Sequence, residues 1–486
     1  MDVLLIQLLV PFFGAIICYL FKSRASGLVA SFFALMTFSL TLFNILTSLS
    51  FTQKTDYQWD FFSWLNIPFS FGLFTDGLSS LMLILITLIG LFVILYSVGY
   101  LSPNNRDHGF YPPYGSYYFL MLLFIGAMIG VVTSKNFLQV FLFWEITTIC
   151  SWALISYMRD SKGIFSGFKA FIMTHIGGIS FLVALGILYV EAKSFDFSSI
   201  SVLPPTEKFL VFGLLFFAAS AKSAQIPLFT WLPNAMVAPT PVSAYLHAAA
   251  MVKAGVYLIA RIYLSNPELS ANCAFIVAVV SILTMLISVI LYYIQDDLKS
   301  LLAYSTIGHL GYILFGVSLG IFGSITGGIG GIFHIINHGF AKGLLFLCVG
   351  AISYATGSKS INELRGISSK FPFLAVCFIV GMFSIVGIPP FSGFWSKFMI
   401  FTGAFELKYG PLTFFGILAI FESLLSFCWY IFVGHRVFFG TPSEKVLNAH
   451  KDLPFSMRIS LVLLLFFTII SPLLGYPFVK VLYGGV

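Results

Sequence analysis

The chain has 486 residues, of which 25 are Lys or Arg and 18 are Asp or Glu, so 9% are charged and 59% apolar. A soluble domain carries about 25% charged residues, and this chain has too little polar surface to cover a water-soluble globule. With 57 Phe and a mean hydropathy of +0.99 its solvent is the lipid bilayer, and the net charge of +7 is spread without the basic stripe that nucleic acid requires.

The first apolar run, residues 3 to 21, follows Asp2 and precedes Lys22 and Arg24, so it reads as a membrane span and not as a cleaved signal. Further runs long enough to cross a bilayer fall at 27–49, 76–100, 117–133, 136–157, 165–190, 207–236, 240–263, 271–293, 298–320, 324–352, 372–403, 411–439 and 455–480. The chain is thus expected to be an all-α polytopic membrane protein of about 14 spans. The polar connections around 52–75, 102–116, 191–207 and 441–454 are too short for an independent core. If the first span runs inward, fourteen loop cations, Lys22, Lys299 and Lys451 among them, face inside and seven, Arg261 among them, face outside. That bias places both termini on the extracytoplasmic side of the cell membrane.

Four lysines, Lys222, Lys253, Lys342 and Lys397, and two acids, Glu145 and Glu422, remain within spans. An ionisable group near the bilayer centre costs at least about 2.5–3.5 kcal/mol, so each needs a partner or a function. Lys253 and Lys397 lie near enough to span ends to snorkel, whereas the short side chain of Glu145 must be neutral or paired. His334, His338 and Lys342 recur every fourth residue, a ladder rising over about 12 Å of one helix face. His175, His247 and His309 also lie in spans. A single buried His is ordinarily a hydrogen-bonded core residue, but three titratable groups on one face can pass a proton. The His334/His338 spacing also fits a zinc pair, but no carboxylate or Cys stands near it, and no metal is expected.

Two spans are interrupted. Lys222 precedes Pro227 in AKSAQIPLFTWLPNAM, and Lys397 follows Gly387, Pro389, Pro390 and Gly393 in VGIPPFSGFWSK. Proline removes an amide donor and frees carbonyls that must find polar partners; paired interruptions beside buried lysines point to an ion path near the midplane, although one alone would be a packing kink. The six cysteines show no CxxC spacing, and no nucleotide-binding loop is present. No cofactor is therefore expected on this chain, and its polar inventory suits the movement of protons or small cations.

The stretches LQVFLFWEITTICSWALI, AKSAQIPLFTWLPNAMVAPTPVSAYLHAAAMVKAGVYLIAR, DDLKSLLAYSTIGHLGYI, FHIINHGFAKGLLFLCVGAI and GIPPFSGFWSKF resemble the antiporter-like subunits shared by respiratory complex I, Mrp sodium/proton antiporters, membrane-bound hydrogenases and sulfane reductase complexes. The resemblance implies two inverted five-helix repeats, spans 4–8 (117–263) and 9–13 (271–439), each with a broken helix. Residues 1–116 then carry spans 1–3, and 440–486 carry span 14. It also implies that Glu145 pairs with Lys222, that Lys253 bridges the halves, that the histidines and Lys342 continue the path, and that Lys397 exchanges protons with the outside. His247 and His309 would line the path. Some relatives carry an acid in the sixth span, where this chain has Gly177 and Gly178 beside His175. Glu422 has no counterpart that the resemblance supplies, and it is expected to partner Lys397 or a neighbouring subunit.

The expected function is a proton-translocating, optionally sodium-linked, subunit of a multisubunit membrane complex, driven by a redox arm or an ion gradient. Its partners would be further antiporter-like or small membrane subunits, H+ and Na+, and the bilayer. The alternatives are a self-contained Na+/H+ antiporter, an Mrp subunit, or a scaffold that anchors a redox arm; the buried lysines argue against the scaffold. The phrases WEITTICSWALI and FTDGLSSLMLILITLIGLFVILYSVGY look closer to the hydrogenase and sulfane reductase branch.

Overall fold

The structure, a computed structural model, describes residues 3–21, 23–47, 53–57, 70–108, 113–450 and 452–482; Asp2 and the loop cations Lys22 and Lys451 lie outside them. Helices α1 (Val3–Leu20) and α2 (Ala25–Thr47) lead to an antiparallel ribbon of β1 (Gln53–Tyr57) and β2 (Phe71–Thr75), with Gln53 opposite Thr75. Then follow α3 (Gly77–Tyr100), α4 (Tyr114–Thr133), α5 (Phe137–Ile155), α6 (Ser161–Ala192), α7 (Pro205–Lys222), α8 (Trp231–Asn234), α9 (Thr240–Ala248) and α10 (Met251–Ser265). The second half comprises α11 (Ala271–Tyr293), α12 (Leu298–Ile321), α13 (Ile325–Thr356), α14 (Pro372–Val386), α15 (Ser392–Glu406), α16 (Gly410–Phe438), α17 (Glu444–Leu447) and α18 (Phe455–Leu482).

Among the described residues twelve spans are long and apolar enough to cross a membrane, α9 and α10 counting as one. The expected all-α membrane architecture holds, with α7–α8 and α14–α15 as the interrupted pair. Sequence signals set many helix starts: the side chains of Asp76, Asn136, Asp160 and Asp297 accept from the backbone N–H three residues on. Helices α3, α13 and α9–α10 are buried along nearly their whole length, while α2, α16 and α18 expose apolar faces such as Leu28, Phe32, Phe414, Phe421 and Leu473 to the bilayer. Small residues allow the close central packing. A Cβ on Gly316 would run into the backbone of Gly331, and one on Gly320 would strike the Tyr263 ring and crowd the Gly328 Cα, so α12 and α13 touch almost backbone to backbone.

At each break the freed backbone groups find partners. After α7, Trp231 Nε1 donates to Ala221 O at 2.9 Å and Gln225 N donates to Ser220 O at 2.9 Å. After α14, Gly387 takes a left-handed φ of 89°, its N–H and that of Ile388 both closing on Phe383 O. A third interruption was not expected. Ala249 N and Ala250 N both turn back to Tyr245 O, at 3.1 and 3.0 Å, and so divide the eighth span one turn before Lys253. The run HAAAMVK contains neither Gly nor Pro there, so no local signal announced it.

Two cations assigned to loops are buried. Lys299, in the first turn of α12, donates to Ala238 O at 2.7 Å. Arg261, on α10, is 3% exposed and reaches the start of α3, where Asp76 accepts at 2.5 and 2.9 Å and Ser79 Oγ at 2.8 Å. Both lie near span ends, where hydropathy cannot separate a solvated charge from one tucked under its helix. Burial alone would raise the Asp76 carboxyl, but the charge and hydrogen bonds of Arg261 outweigh it and hold the carboxyl below its ordinary range. A depressed carboxylate contributes its stability above the ordinary carboxylate range and loses it as pH falls through the folded value, so the pair is fully formed at neutral pH. Arg261→Gln leaves the half-buried Asp76 carboxylate without its cationic partner and is expected to cost about 2–4 kcal/mol, somewhat less than the loss of a partner from a fully buried pair. The loss should appear as a lower melting temperature of the detergent-solubilised protein at pH 7; an unchanged melting curve would refute it.

Candidate functional site

The polar side chains of the membrane interior begin on α5. Trp144, Thr147 and Thr148 share one face by the i, i+3, i+4 rule and present it to α7, where Lys222 Nζ donates to Trp144 O (2.9 Å), Thr147 Oγ1 (2.6 Å) and Thr148 Oγ1 (2.9 Å). The ammonium also lies 5.0 Å from the Trp144 ring centroid. Three acceptors match the three hydrogens of a lysine ammonium. Glu145 is one residue on and thus rotated about 100° away, toward α6. There its Oε2 meets His175 Nδ1 at 2.9 Å, with side-chain exposures of 23% for Glu145 and 45% for His175. Among the described residues no ion pair joins Glu145 to Lys222, so the expected pairing is not the one this conformation holds. Gly178 makes room for it, because a Cβ there would collide with Glu145 Oε1.

Lys253 follows the interruption at Ala249–Ala250. Among the described residues its Nζ has a single hydrogen-bond partner, His338 Nδ1 at 2.9 Å, a contact that joins α10 to α13. The run continues sideways. The His338 and His309 rings lie 5.4 Å apart, His309 Nδ1 meets His334 Nε2 at 3.0 Å, and His334 Nδ1 meets Ser396 Oγ at 2.8 Å. Ser396 is the neighbour in sequence of Lys397, whose Nζ donates to Val386 O at 3.2 Å, a carbonyl freed by the α14–α15 break, and to Ser423 Oγ at 3.0 Å. The breaks at Pro227 and at Pro389–Pro390 therefore each stand beside a buried lysine, as expected.

On α13 the rings of His334 and His338 are 6.1 Å apart between centres, and each turns to a different neighbour, so the direct contacts of the ladder lead off the helix and not along it. Lys342 points away, to Leu302 O (3.1 Å), Ser305 Oγ (2.8 Å) and Tyr430 Oη (3.3 Å). Glu422 faces Lys397 through an intervening ring and not by a direct ion pair. Tyr312 stands between them, its ring 4.5 Å from Lys397 Nζ and its hydroxyl 2.5 Å from Glu422 Oε2. His247 is buried, packs 4.6 Å from the Phe346 ring and, among the described residues, has no hydrogen-bond partner on either ring nitrogen.

The sequence reading missed Tyr312, Ser396, Thr147 and Thr148. A polar residue three or four positions from a buried ionisable group is the signal that would have found Tyr312 (beside His309) and Thr148 (beside Glu145). Among the described residues no three His, Cys, Asp or Glu side chains gather to hold a metal ion.

Residues 134–426 match the family described as NADH:quinone oxidoreductase/Mrp antiporter, TM, and residues 61–111 match NADH-Ubiquinone oxidoreductase (complex I), chain 5 N-terminus. The Na(+)/H(+) antiporter subunit A1 of Staphylococcus haemolyticus (strain JCSC1435) is 34% identical over 479 residues, covering 93% of this chain and 58% of the relative. That of Staphylococcus aureus is 33% identical over 483 residues, covering 93% and 59%. The chain thus spans less than three fifths of the length of these relatives. Among solved structures, a chain of the Mrp complex from Dietzia sp. DQ12-45-1b superposes with a TM-score of 0.86 at 28% identity, over 99% of this chain and 52% of that one. A chain of the membrane-bound sulfane sulfur reductase, an archaeal respiratory membrane complex, gives 0.87 at 22% identity, over 99% and 96%, and shows the shared fold.

Proposed function

This chain belongs to the NADH:quinone oxidoreductase/Mrp antiporter transmembrane family, and from that membership we propose that it is a proton-translocating subunit of a multisubunit membrane complex. The observation that supports the reading is the row of buried polar groups in which Lys253 bonds to His338, the His338 ring lies 5.4 Å from that of His309 without a hydrogen bond, and His309 bonds to His334 and His334 to Ser396, beside Lys397. Lys222 and Lys342 each have three bonded acceptors, whereas Lys253 faces one imidazole nitrogen, which can take a proton from it. The path enters near Lys222, crosses between the halves at Lys253 and His338, and leaves on the outer side through Lys397. Motion of Glu145 from His175 to Lys222 supplies the switch, because an opposite charge beside an ammonium favours its protonated form and withdrawal of that charge favours proton release. His247 and Lys342 lie beside the run and act on it through charge and water.

With the buried Lys299 and Arg261 set aside, the bias of the remaining loop cations still supports termini on the outer side, and other membrane subunits cover the polar Glu145–His175 edge. The exchanged cation is Na+, by analogy with the relatives named Na(+)/H(+) antiporter subunit A1. Those relatives support an Mrp-type assembly over the hydrogenase and sulfane reductase branch that two short phrases had favoured. The test is gentle solubilisation followed by reconstitution in liposomes. Copurification with several membrane proteins, and Na+-driven proton movement only in their company, is the expected result; a chain that purifies alone and exchanges Na+ for H+ by itself is a self-contained antiporter.

A further inference from the structure

A second hydrogen-bonded branch leaves the histidine run, and it ends on the last span. Ser396 Oγ lies 2.8 Å from His334 Nδ1, 3.2 Å from Asn337 Nδ2 and 3.3 Å from Gly393 O. Asn337 Oδ1 in turn accepts from Ser471 Oγ of α18 at 3.0 Å, the shorter of the two contacts open to that hydroxyl's one hydrogen, the other being Thr468 O at 3.2 Å. Asn337, Ser396 and Ser471 are fully or almost fully buried, and none is ionisable.

The hydrogens of this branch can be counted. An amide nitrogen only donates, so Ser396 Oγ accepts from Asn337. The serine keeps one hydrogen, and two acceptors are within reach. Turned to His334 Nδ1, it makes that nitrogen an acceptor, which leaves the imidazole hydrogen on Nε2, directed at His309 Nδ1. Turned to Gly393 O, it leaves Oγ accepting from His334 Nδ1–H, and His334 Nε2 is then free to accept from His309 Nδ1–H. The two positions of one hydroxyl correspond to opposite polarities of the His309–His334 bond.

Resting on the transport reading above, we propose that Ser396 is a hydroxyl rotor that sets the direction of proton transfer between His309 and His334, and that Asn337, anchored from α18 by Ser471, holds it in place. These are positioning residues. Asn337 occupies one lone pair of Ser396 permanently, so rotation is confined to the two remaining acceptors, and the anchor makes the last span part of the path's control. Gly393 O belongs to the start of α15, beside the break, so a shift of that segment alters which acceptor the hydroxyl meets. The charged or titratable groups that face His334 are His309 and Tyr312 on α12, His338 on its own helix, Lys253 on α10 and Lys397 on α15. A change in His334 polarity is therefore read by the whole cluster.

The test uses inverted membrane vesicles that contain the assembled complex, with Na+-driven proton movement followed by a pH-sensitive dye across pH 6 to 9 and normalised to assembled chain. Ser396→Ala is expected to slow exchange about tenfold and to move the pH of half-maximal rate by about one unit, while Ser396→Thr, which keeps a hydroxyl, retains at least about half the rate with the wild-type profile. Asn337→Leu, which removes the fixed donor and leaves the hydroxyl, should slow exchange about threefold and displace the profile, and it decides the matter if neither serine variant assembles. A wild-type rate and profile in Ser396→Ala or in Asn337→Leu overturns the proposal, and so does an equal loss in the Ala and Thr variants with an unmoved profile. Absence of exchange from wild-type vesicles strikes the transport reading itself, and this inference with it.

Discussion

Lys222→Ala is expected to leave an assembled complex with no measurable ion exchange, a loss of at least about a hundredfold, the scale on which proton transfer by a positioned group operates. Assembly should survive because the acceptors of the lysine are not orphaned. Thr147 Oγ1 and Thr148 Oγ1 also bond to Trp144 O, at 2.7 and 3.2 Å, and they keep those bonds once the ammonium is gone. What remains is a cavity the size of a lysine stem, and its cost is shared by a chain buried on every side at that point. Lys222→Arg should fail as well: a guanidinium does not release its proton in a protein, and a carrier that cannot discharge cannot turn over. Exchange is measured in inverted vesicles with the amount of assembled chain determined in parallel. Wild-type exchange in Lys222→Ala would remove Lys222 from the path and with it the first half of the mechanism.

Those residues were legible in the sequence for a simple reason. Lipid tolerates so few charges that Lys222, Lys253, Lys342, Lys397, Glu145 and Glu422 stood out by subtraction, and Pro227, Pro389 and Pro390 marked where regular backbone had to stop. The membrane class and the interrupted spans followed from the same physics. The partners of each charge did not, because hydropathy carries no angular information about neighbouring helices. Glu145 and Trp144 are adjacent in sequence, yet a rotation of about 100° sends one to α6 and the other to α7. Neutral groups were harder still. Ser396, Asn337 and Tyr312 look like ordinary span residues, and only their bonds to His334, to Ser396 and to Glu422 separate them from packing. Arg261 and Lys299 were misplaced because a cation near a span end satisfies a loop assignment and a buried one equally well; the choice rests on whether Asp76 or Ala238 O lies opposite. The division at Ala249–Ala250 has no local cause, since alanine favours helix, and it arises from the tertiary setting.

Lys253→Met should disconnect the two halves. The direct hydrogen bond between Lys253 and the histidine run is the contact of its Nζ with His338 Nδ1, and methionine fills a similar volume without a proton to give. Exchange is expected to fall by about a hundredfold or more, as for Lys222→Ala, but the two losses differ in what accompanies them. Lys222 is bonded within the first half, so its removal leaves the Lys253–His338 contact in place. Lys253 and His338 act as one donor and acceptor pair, so His338→Ala should give the same loss as Lys253→Met, and the double variant should be no worse than either. Residues that function as a unit show this non-additivity, whereas two independent contributors would multiply their losses. The comparison also separates charge from connection. Lys253→Arg keeps the positive charge beside His338 and cannot hand over a proton, so it should be as inactive as the methionine variant if transfer is what matters, and close to wild type if the lysine only supplies a field. Vesicle exchange rates for the four variants, each normalised to assembled complex, decide between these outcomes, and losses that multiply in Lys253→Met/His338→Ala would show that the crossing between the halves lies elsewhere.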